Sequence, residues 1–576
     1  MSHWIEKSNI YHIYPLGFCG CERTHGESSE TPVPRIRKVI DWIPYLKDLN
    51  FNAVYFGPVF ESVKHGYDTI DYKVIDRRLG TNADFKDVCD ALHKNGIRVI
   101  LDGVFNHVGR NNPEFLDVRQ NKGGSRYKDW FCGLNFGGNS GYNDGFWYEG
   151  WNGCYDLVKL NLHNNEVVEY LLSAVKLWIE EWDIDGIRFD AADCLTDNFI
   201  RRIHGFTRSL KPDFWLMGEI IHGNYAHWAN SEMFDCVTNY QCYKGIYSSH
   251  NDRNYFEIAH SIEYQTGQYG NIYMYNFLDN HDVPRLASVL RNPGHIECCY
   301  TMMYMMYGVP SVYYGSEFGI KGVKGQGEDA DIPLRPCIEL DQPDQNEQLK
   351  KHIRALGSIR MNVPAVQSGS YAKIDLKNQT FLFKREKDGE TVYIALNISD
   401  GDYTFRFQTG YPQLTDALTG KCFDVNNNNA EITVPQNKSM VLIGGNTDFA
   451  KNNGSIEEPA EKPAANEICN EAPAIEEVPA EKAVHTVTPA RDKGNGVVGL
   501  GVPDGRAPVL GGHYKHFKGG NYVLLNIAKD HETAEPIAVY MSLDGKPEVW
   551  ARPLPMFLED IDDHGCRKPR FAFVCE

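Results

Sequence analysis

Between residue 10 and about residue 320 the chain repeats one unit: a short apolar run, then a longer segment with apolar residues at helical spacing. Parallel strands need such crossovers, so the repeat predicts a parallel α/β fold. The strand-like runs are "IYHIYPLGF", "NAVYFGPVF", "IRVILDGVF", "GIRF", "FWLMGEI", "NIYMYNFLDNHD" and "VPSVYYGSEFG". Between them, "IRKVIDWIPYLKDLN" carries Ile36, Ile40, Ile43 and Leu46 at helical spacing, and "FKDVCDALHKNG" ends in the helix stop Lys94, Asn95, Gly96. The segment from Asn164 places Val167, Val168, Leu171, Leu172, Val175, Trp178, Ile179 and Trp182 on one broad stripe. Later strands end in polar clusters, and no Gly-rich phosphate loop follows the first. A closed (β/α)8 TIM barrel therefore fits better than a doubly wound open sheet.

The rest of the chain changes texture. Residues 1–364 are assigned to the barrel, with a Gly-, Asn- and aromatic-rich insertion after strand three at about 108–160. A loop of that length inside a compact domain is usually functional. Short alternating runs over 365–446 predict a C-terminal antiparallel β domain. Residues 447–507, rich in Glu, Pro and Ala, are expected to be a disordered acidic linker. Strand patterning returns over 508–576 as a small β-rich module.

Several function classes fall away on composition. A net charge of −19 argues against nucleic acid, whose phosphates require a basic surface. No basic region followed by an apolar stretch opens the chain, and no apolar run reaches the length of a membrane span. The 15 cysteines lack pairs of pairs at zinc spacing, so no metal site is expected from them and a reduced, cytoplasmic setting is.

The stretch "DIDGIRFDAAD" poses the chemical question. Strand period two puts Arg188 and Asp190 on one face of a run whose other face carries Ile187 and Phe189. Buried charge is unfavourable unless paired, and it is met most often at working sites. A structural ion pair is the plain alternative. Two further carboxyl groups end predicted strands, Glu219 after "WLMG" and Asp282 in "FLDNHD". Two carboxyl groups facing each other across a barrel mouth can cleave an acetal, one as nucleophile and one as proton donor. Arg188 is expected to lower the pKa of Asp190. Leu216, Met217, Ile220 and Ile221 are expected to desolvate Glu219, as suits a general acid.

With these residues in view, the chain resembles the α-amylase family of glycoside hydrolases over about residues 8–445. The family's short motifs stand in order as "DGVFNH" (102–107), "GIRFDAAD" (186–193), "GEI" (218–220) and "FLDNHD" (277–282). "LVKLN" (157–161) is similar to a segment of the neopullulanase and cyclomaltodextrinase group, with Val158 where proline is usual. The resemblance implies a retaining hydrolase of α-glucosidic bonds in maltodextrins or related α-glucans. A transglycosylase or glucosyl isomerase running through the same intermediate is the alternative, and a non-catalytic carbohydrate-binding or scaffold barrel a more distant one. It further implies Asp190 as nucleophile, Glu219 as acid/base and Asp282 as the stabiliser that binds sugar hydroxyls. His107, His281, Arg188, Tyr67 and Asp68 match substrate-subsite positions, and Asp102 and Asn106 supporting ones. No cofactor is required, although many members bind calcium at the asparagine site. Trp147 and Trp151 are read equally as sugar platforms or as core of the insertion. Arg285 and Arg335 are read as surface salt bridges first and as groups reaching substrate hydroxyls second. The tail resembles a small bacterial domain of unestablished function, through Tyr514–Gly519, Thr533–Pro536 and Trp550–Pro553; a protein partner and a passive fold are equal expectations for it.

Overall fold

Eight parallel strands close into a barrel in the computed structural model of the chain. They are β1 (Ile10–Ile13), β2 (Ala53–Phe56), β3 (Arg98–Gly103), β4 (Gly186–Phe189), β5 (Trp215–Gly218), β6 (Cys236–Thr238), β7 (Tyr273–Asn276) and β8 (Val309–Tyr313). Ile10 pairs with Ala53 on one side and with Ser311 on the other, which shuts the ring. The structure describes residues 4–24, 31–269, 272–327, 329–342, 345–445 and 447–453, and in the tail 513–516, 520–529, 536–543, 549–558, 560–563 and 566–575. One strand, β6, has no counterpart among the runs expected from sequence. At three residues it is too short to display a period.

The helices follow their local signals. Thr81 and Asp84 form a reciprocal capping box at the start of Asn82–Lys94, and Gly96 leaves that helix with φ of 76°. Asn164 caps Asn165–Trp182, whose predicted stripe is buried throughout. Trp178 stacks on Phe60 with ring centroids 4.5 Å apart. Helix Lys38–Asp48 is rotated from expectation: Val39 and Trp42 join Ile43 and Leu46 in the core, and Ile40 is only half-buried.

Inside the barrel, Ile10, Tyr55, Ile100, Trp215, Met217, Tyr275 and Val309 fill the lumen. The barrel is a packed core, so chemistry is confined to its rim. After β3 the insertion forms a three-stranded sheet in which His107–Gly109 and Gly150–Trp151 flank Cys154–Lys159. Phe115, Phe131, Phe146 and Tyr148 give it a core of its own. Gly109 is needed there, because a Cβ would lie only 2.4 Å from the Asp68 carbonyl oxygen, a backbone atom that cannot swing aside.

Beyond the barrel, six strands form an antiparallel sheet, with Tyr403–Gln408 and Asn429–Val434 as a second ribbon. Leu382, Phe405, Ile432 and Leu442 pack between them. The boundary expected after residue 446 needs correction. Residues Thr447–Asn453 form a helix with Ala450 fully buried, and Asn453 donates to the carbonyls of Ala355 and Ala417. The remainder of the expected linker, 454–507, lies outside the described residues. The chain divides into two compact units, Met1–Pro463 and Ala464–Glu576. In the second, five antiparallel strands carry a core of Tyr514, Leu524, Tyr540, Phe557 and Phe571.

Candidate active site

The charge in β4 is met across the sheet. Strand register sets Arg188 opposite Asp102 of β3, and Arg188 Nη1 lies 2.9 Å from Asp102 Oδ1. The same nitrogen reaches Asp190 Oδ1 at 3.1 Å, while Nη2 reaches Glu219 Oε2 at 2.7 Å. One planar guanidinium therefore gathers carboxylates from the ends of β3, β4 and β5, as its fork of donors allows. Asp102 is fully buried and accepts hydrogen bonds from Tyr55 (2.8 Å) and Tyr67 (3.2 Å) as well.

Asp190 shows which effect wins. Burial acts most strongly on it, and with the negative charge of Glu219, Asp102 and Asp282 it pushes the carboxyl well above the ordinary range against the pull of Arg188. The expectation that Arg188 would set a low value is corrected on that ground: one cation is shared among too many carboxylates to offset desolvation. Asp190 and Glu219 are held to one another through the single guanidinium of Arg188. The surroundings of Glu219 also depart from expectation. Leu216, Met217 and Ile220 are buried but Ile221 is exposed. The carboxylate meets polar donors instead, the Ala191 N–H at 3.2 Å and the Tyr240 hydroxyl at 3.2 Å. Ala191, whose N–H makes that contact, adopts φ of 44°, a left-handed conformation unfavourable for alanine.

Asp282 reaches the same mouth from the loop after β7. Burial opposes its ionisation, but His281 (3.0 Å) and Arg335 (3.0 Å) outweigh it and hold the carboxyl far below the usual range. His281 Nε2 also touches the Tyr67 hydroxyl, and the two rings stack with centroids 5.4 Å apart. His107 lies on the other side, its Nε2 4.0 Å from Asp190 Oδ2 and without a hydrogen-bond partner. Burial pushes its pKa down to about 3, so it is neutral at ordinary pH.

Of the residues expected here, Asp190, Glu219, Asp282, Arg188, Tyr67, His107 and His281 come together at the C-terminal rim. Asp68 does not present its carboxylate to them. It accepts the backbone N–H groups of Val63, Lys64 and His65 at 3.0, 2.8 and 3.1 Å and so shapes the loop that carries Tyr67. Trp151 faces the ring of His107 at 5.7 Å, whereas Trp147 is bonded to the Tyr155 hydroxyl on the insertion. Neither arginine expected as a surface salt bridge is one. Arg285 is fully buried and donates to the carbonyls of Tyr314 and Leu334, while Arg335 joins Asp282 and Asp331 over the ring of Tyr14. Tyr240, Asn280 and Arg335 are site residues that sequence reasoning missed or misplaced. Tyr240 follows the unrecognised β6, which is the signal that would have found it.

Calcium finds no carboxylate cage: among the described residues no group of three or more His, Cys, Asp or Glu side chains is arranged to hold a metal. The Asn106 amide nitrogen faces His107 Nδ1 at 3.2 Å. No helix of the described residues is long and apolar enough to cross a membrane. The cysteines of the first unit, from Cys19 to Cys422, are free thiols.

Comparison with known proteins agrees with this geometry. Residues 26–362 match the family model described as alpha amylase, catalytic domain, and residues 512–573 match a model described as a protein of unknown function (DUF1653). A maltogenic alpha-amylase of Bacillus acidopullulyticus is 30% identical over 419 residues, 69% of this chain and 70% of that protein. An intracellular maltogenic amylase of Bacillus subtilis is 29% identical, covering 68% of this chain and 69% of its own length. The solved structure of a cyclomaltodextrinase superposes with a TM-score of 0.69 at 27% identity, covering 77% of this chain and 79% of that one. With its closed barrel, its motif residues at one rim and this match over most of the first unit, the chain belongs to the α-amylase family of glycoside hydrolases.

Proposed function

We propose that the protein hydrolyses α-glucosidic bonds of maltodextrins or cyclodextrins with retention of anomeric configuration, Asp190 acting as nucleophile and Glu219 as acid/base. One observation carries this reading: carboxyl groups from β4 and β5 share one guanidinium at the barrel rim, with Asp282 entering from β7. Glu219, as the acid, gives its proton to the departing oxygen. As the bond from the anomeric carbon to that oxygen breaks, the Asp190 carboxylate beside Arg188 attacks the carbon and forms the ester. Water then enters, Glu219 takes its proton, and the Asp190 ester is cleaved. Tyr67 and His281 supply a stacked face for the reacting ring, and His107 and Asp282 supply partners for its hydroxyls. Two carboxyl groups do this without an organic cofactor. The substrate class is supported by the printed names of the relatives, maltogenic amylase and cyclomaltodextrinase, and a cytoplasmic setting by the relative called intracellular.

The test is trapping. A 5-fluoro α-glucosyl fluoride that reacts faster than its ester hydrolyses should add one glycosyl mass to the peptide holding Asp190. A label on another residue, or first-formed product of β configuration from maltotriose, would overturn the assignment. Products longer than maltotriose as the main species would make transfer the principal reaction.

A further inference from the structure

The loop after Glu219 and the two helices after β6 enclose a groove of about 760 Å³. Helix Tyr240–Asn251 lines it with Tyr240, Tyr243 and Tyr247, spaced to share one helix face. Their rings follow one another at 6.2 and 5.2 Å between centroids, a ladder leading outward from the barrel mouth. Tyr264, from the facing helix Phe256–Tyr269, and Ile221, from the loop, are 43% and 44% exposed on the walls. Polar groups stand at the outer end, where Lys244 bridges to Glu257 at 2.6 Å.

The inner end of the ladder is tied to the chemistry. Asn280 Nδ2 donates to the Tyr240 oxygen at 3.2 Å, so the Tyr240 hydrogen is directed to Glu219 Oε1. A general acid protonates the oxygen that leaves, so the departing half of a substrate must lie on its side of the reacting sugar. The groove begins there. Its flat, half-exposed aromatic faces suit the C–H faces of pyranose rings, and Lys244 and Glu257 suit their hydroxyls.

We infer that this tyrosine-lined groove binds the departing segment of a linear α-glucan, and so sets a preference for long chains. The inference rests on Glu219 being the acid of the proposed reaction. Tyr243 also packs on Phe277 and helps hold the helix, so Tyr247 and Tyr264 are the positions to alter.

The full-length protein and its Tyr247→Ala, Tyr264→Ala and Tyr247→Phe variants are compared on maltohexaose and on α-maltosyl fluoride, whose leaving atom cannot occupy the groove. The alanine variants should lose about fivefold more kcat/KM on maltohexaose than on the fluoride, chiefly through KM, since stacking is worth about 1 kcal/mol per ring. Tyr247→Phe should keep wild-type values. Alanine variants equal to wild type on maltohexaose, or losing as much on the fluoride, would overturn the inference. A wild type that cleaves neither substrate would instead remove the hydrolase reading beneath it.

Discussion

Arg188 stands between Asp102, Asp190 and Glu219, and that sharing explains why burial governs Asp190. Two substitutions separate the roles of the carboxyl pair. Asp190→Asn keeps the shape and the contact with Arg188 but cannot form the ester, so kcat should fall about 10⁴-fold with an unchanged circular dichroism spectrum. Near wild-type rates on every α-glucan would refute the nucleophile. Glu219→Gln removes only proton transfer. Its loss on α-maltosyl fluoride, which needs little protonation, should be at least about tenfold smaller than its loss on maltotriose. Equal losses would exclude the acid role. The motif residues were legible in sequence because each sits at a strand end within a short word. Arg335 was not, because its link to Asp282 joins positions far apart in the chain and no local spacing records it.

At the scale of elements, strand ends that serve the site contrast with one that serves the fold. The short helical turn Ser316–Phe318 after β8 buries Glu317 completely, against the hydroxyls of Tyr11 (2.7 Å) and Tyr45 (3.3 Å). Desolvation pushes its pKa from 4.5 up to about 7. The folded chain thus holds this proton more tightly than the unfolded chain does. Glu317 destabilises the fold increasingly as pH rises through that interval, and fully above it. Glu317→Gln removes the titration and should stabilise the protein by about 3 kcal/mol at pH 8 and by little at pH 4.5. Urea unfolding at the two pH values measures this; the same difference at both would show that the carboxyl is not titrating. Long helices such as Asn165–Trp182 were readable because an amphipathic stripe repeats over several turns. β6 was not, and the rotation of Lys38–Asp48 was decided by which side chains found room beside Tyr11 and Phe318.

In the whole molecule, every residue of the candidate site and the cores of the barrel and adjoining β domain lie within Met1–Pro463, while the tail has a separate core. A chain ended at Pro463 should therefore fold and retain kcat/KM on maltotriose to within about twofold. A tenfold loss would give the tail a part in the activity. The sequence by itself determined the barrel and its motif acids, because alternating periodicity and strand-end residues are local consequences of how a backbone hydrogen-bonds and buries apolar surface. Tertiary structure alone decided which groups share a charge, which way Asp68 turns its carboxylate, and where Tyr240 and Arg335 come to rest. Those outcomes depend on distances between segments remote in the chain and on the removal of water from the space between them, and neither is a property of any stretch of sequence read alone.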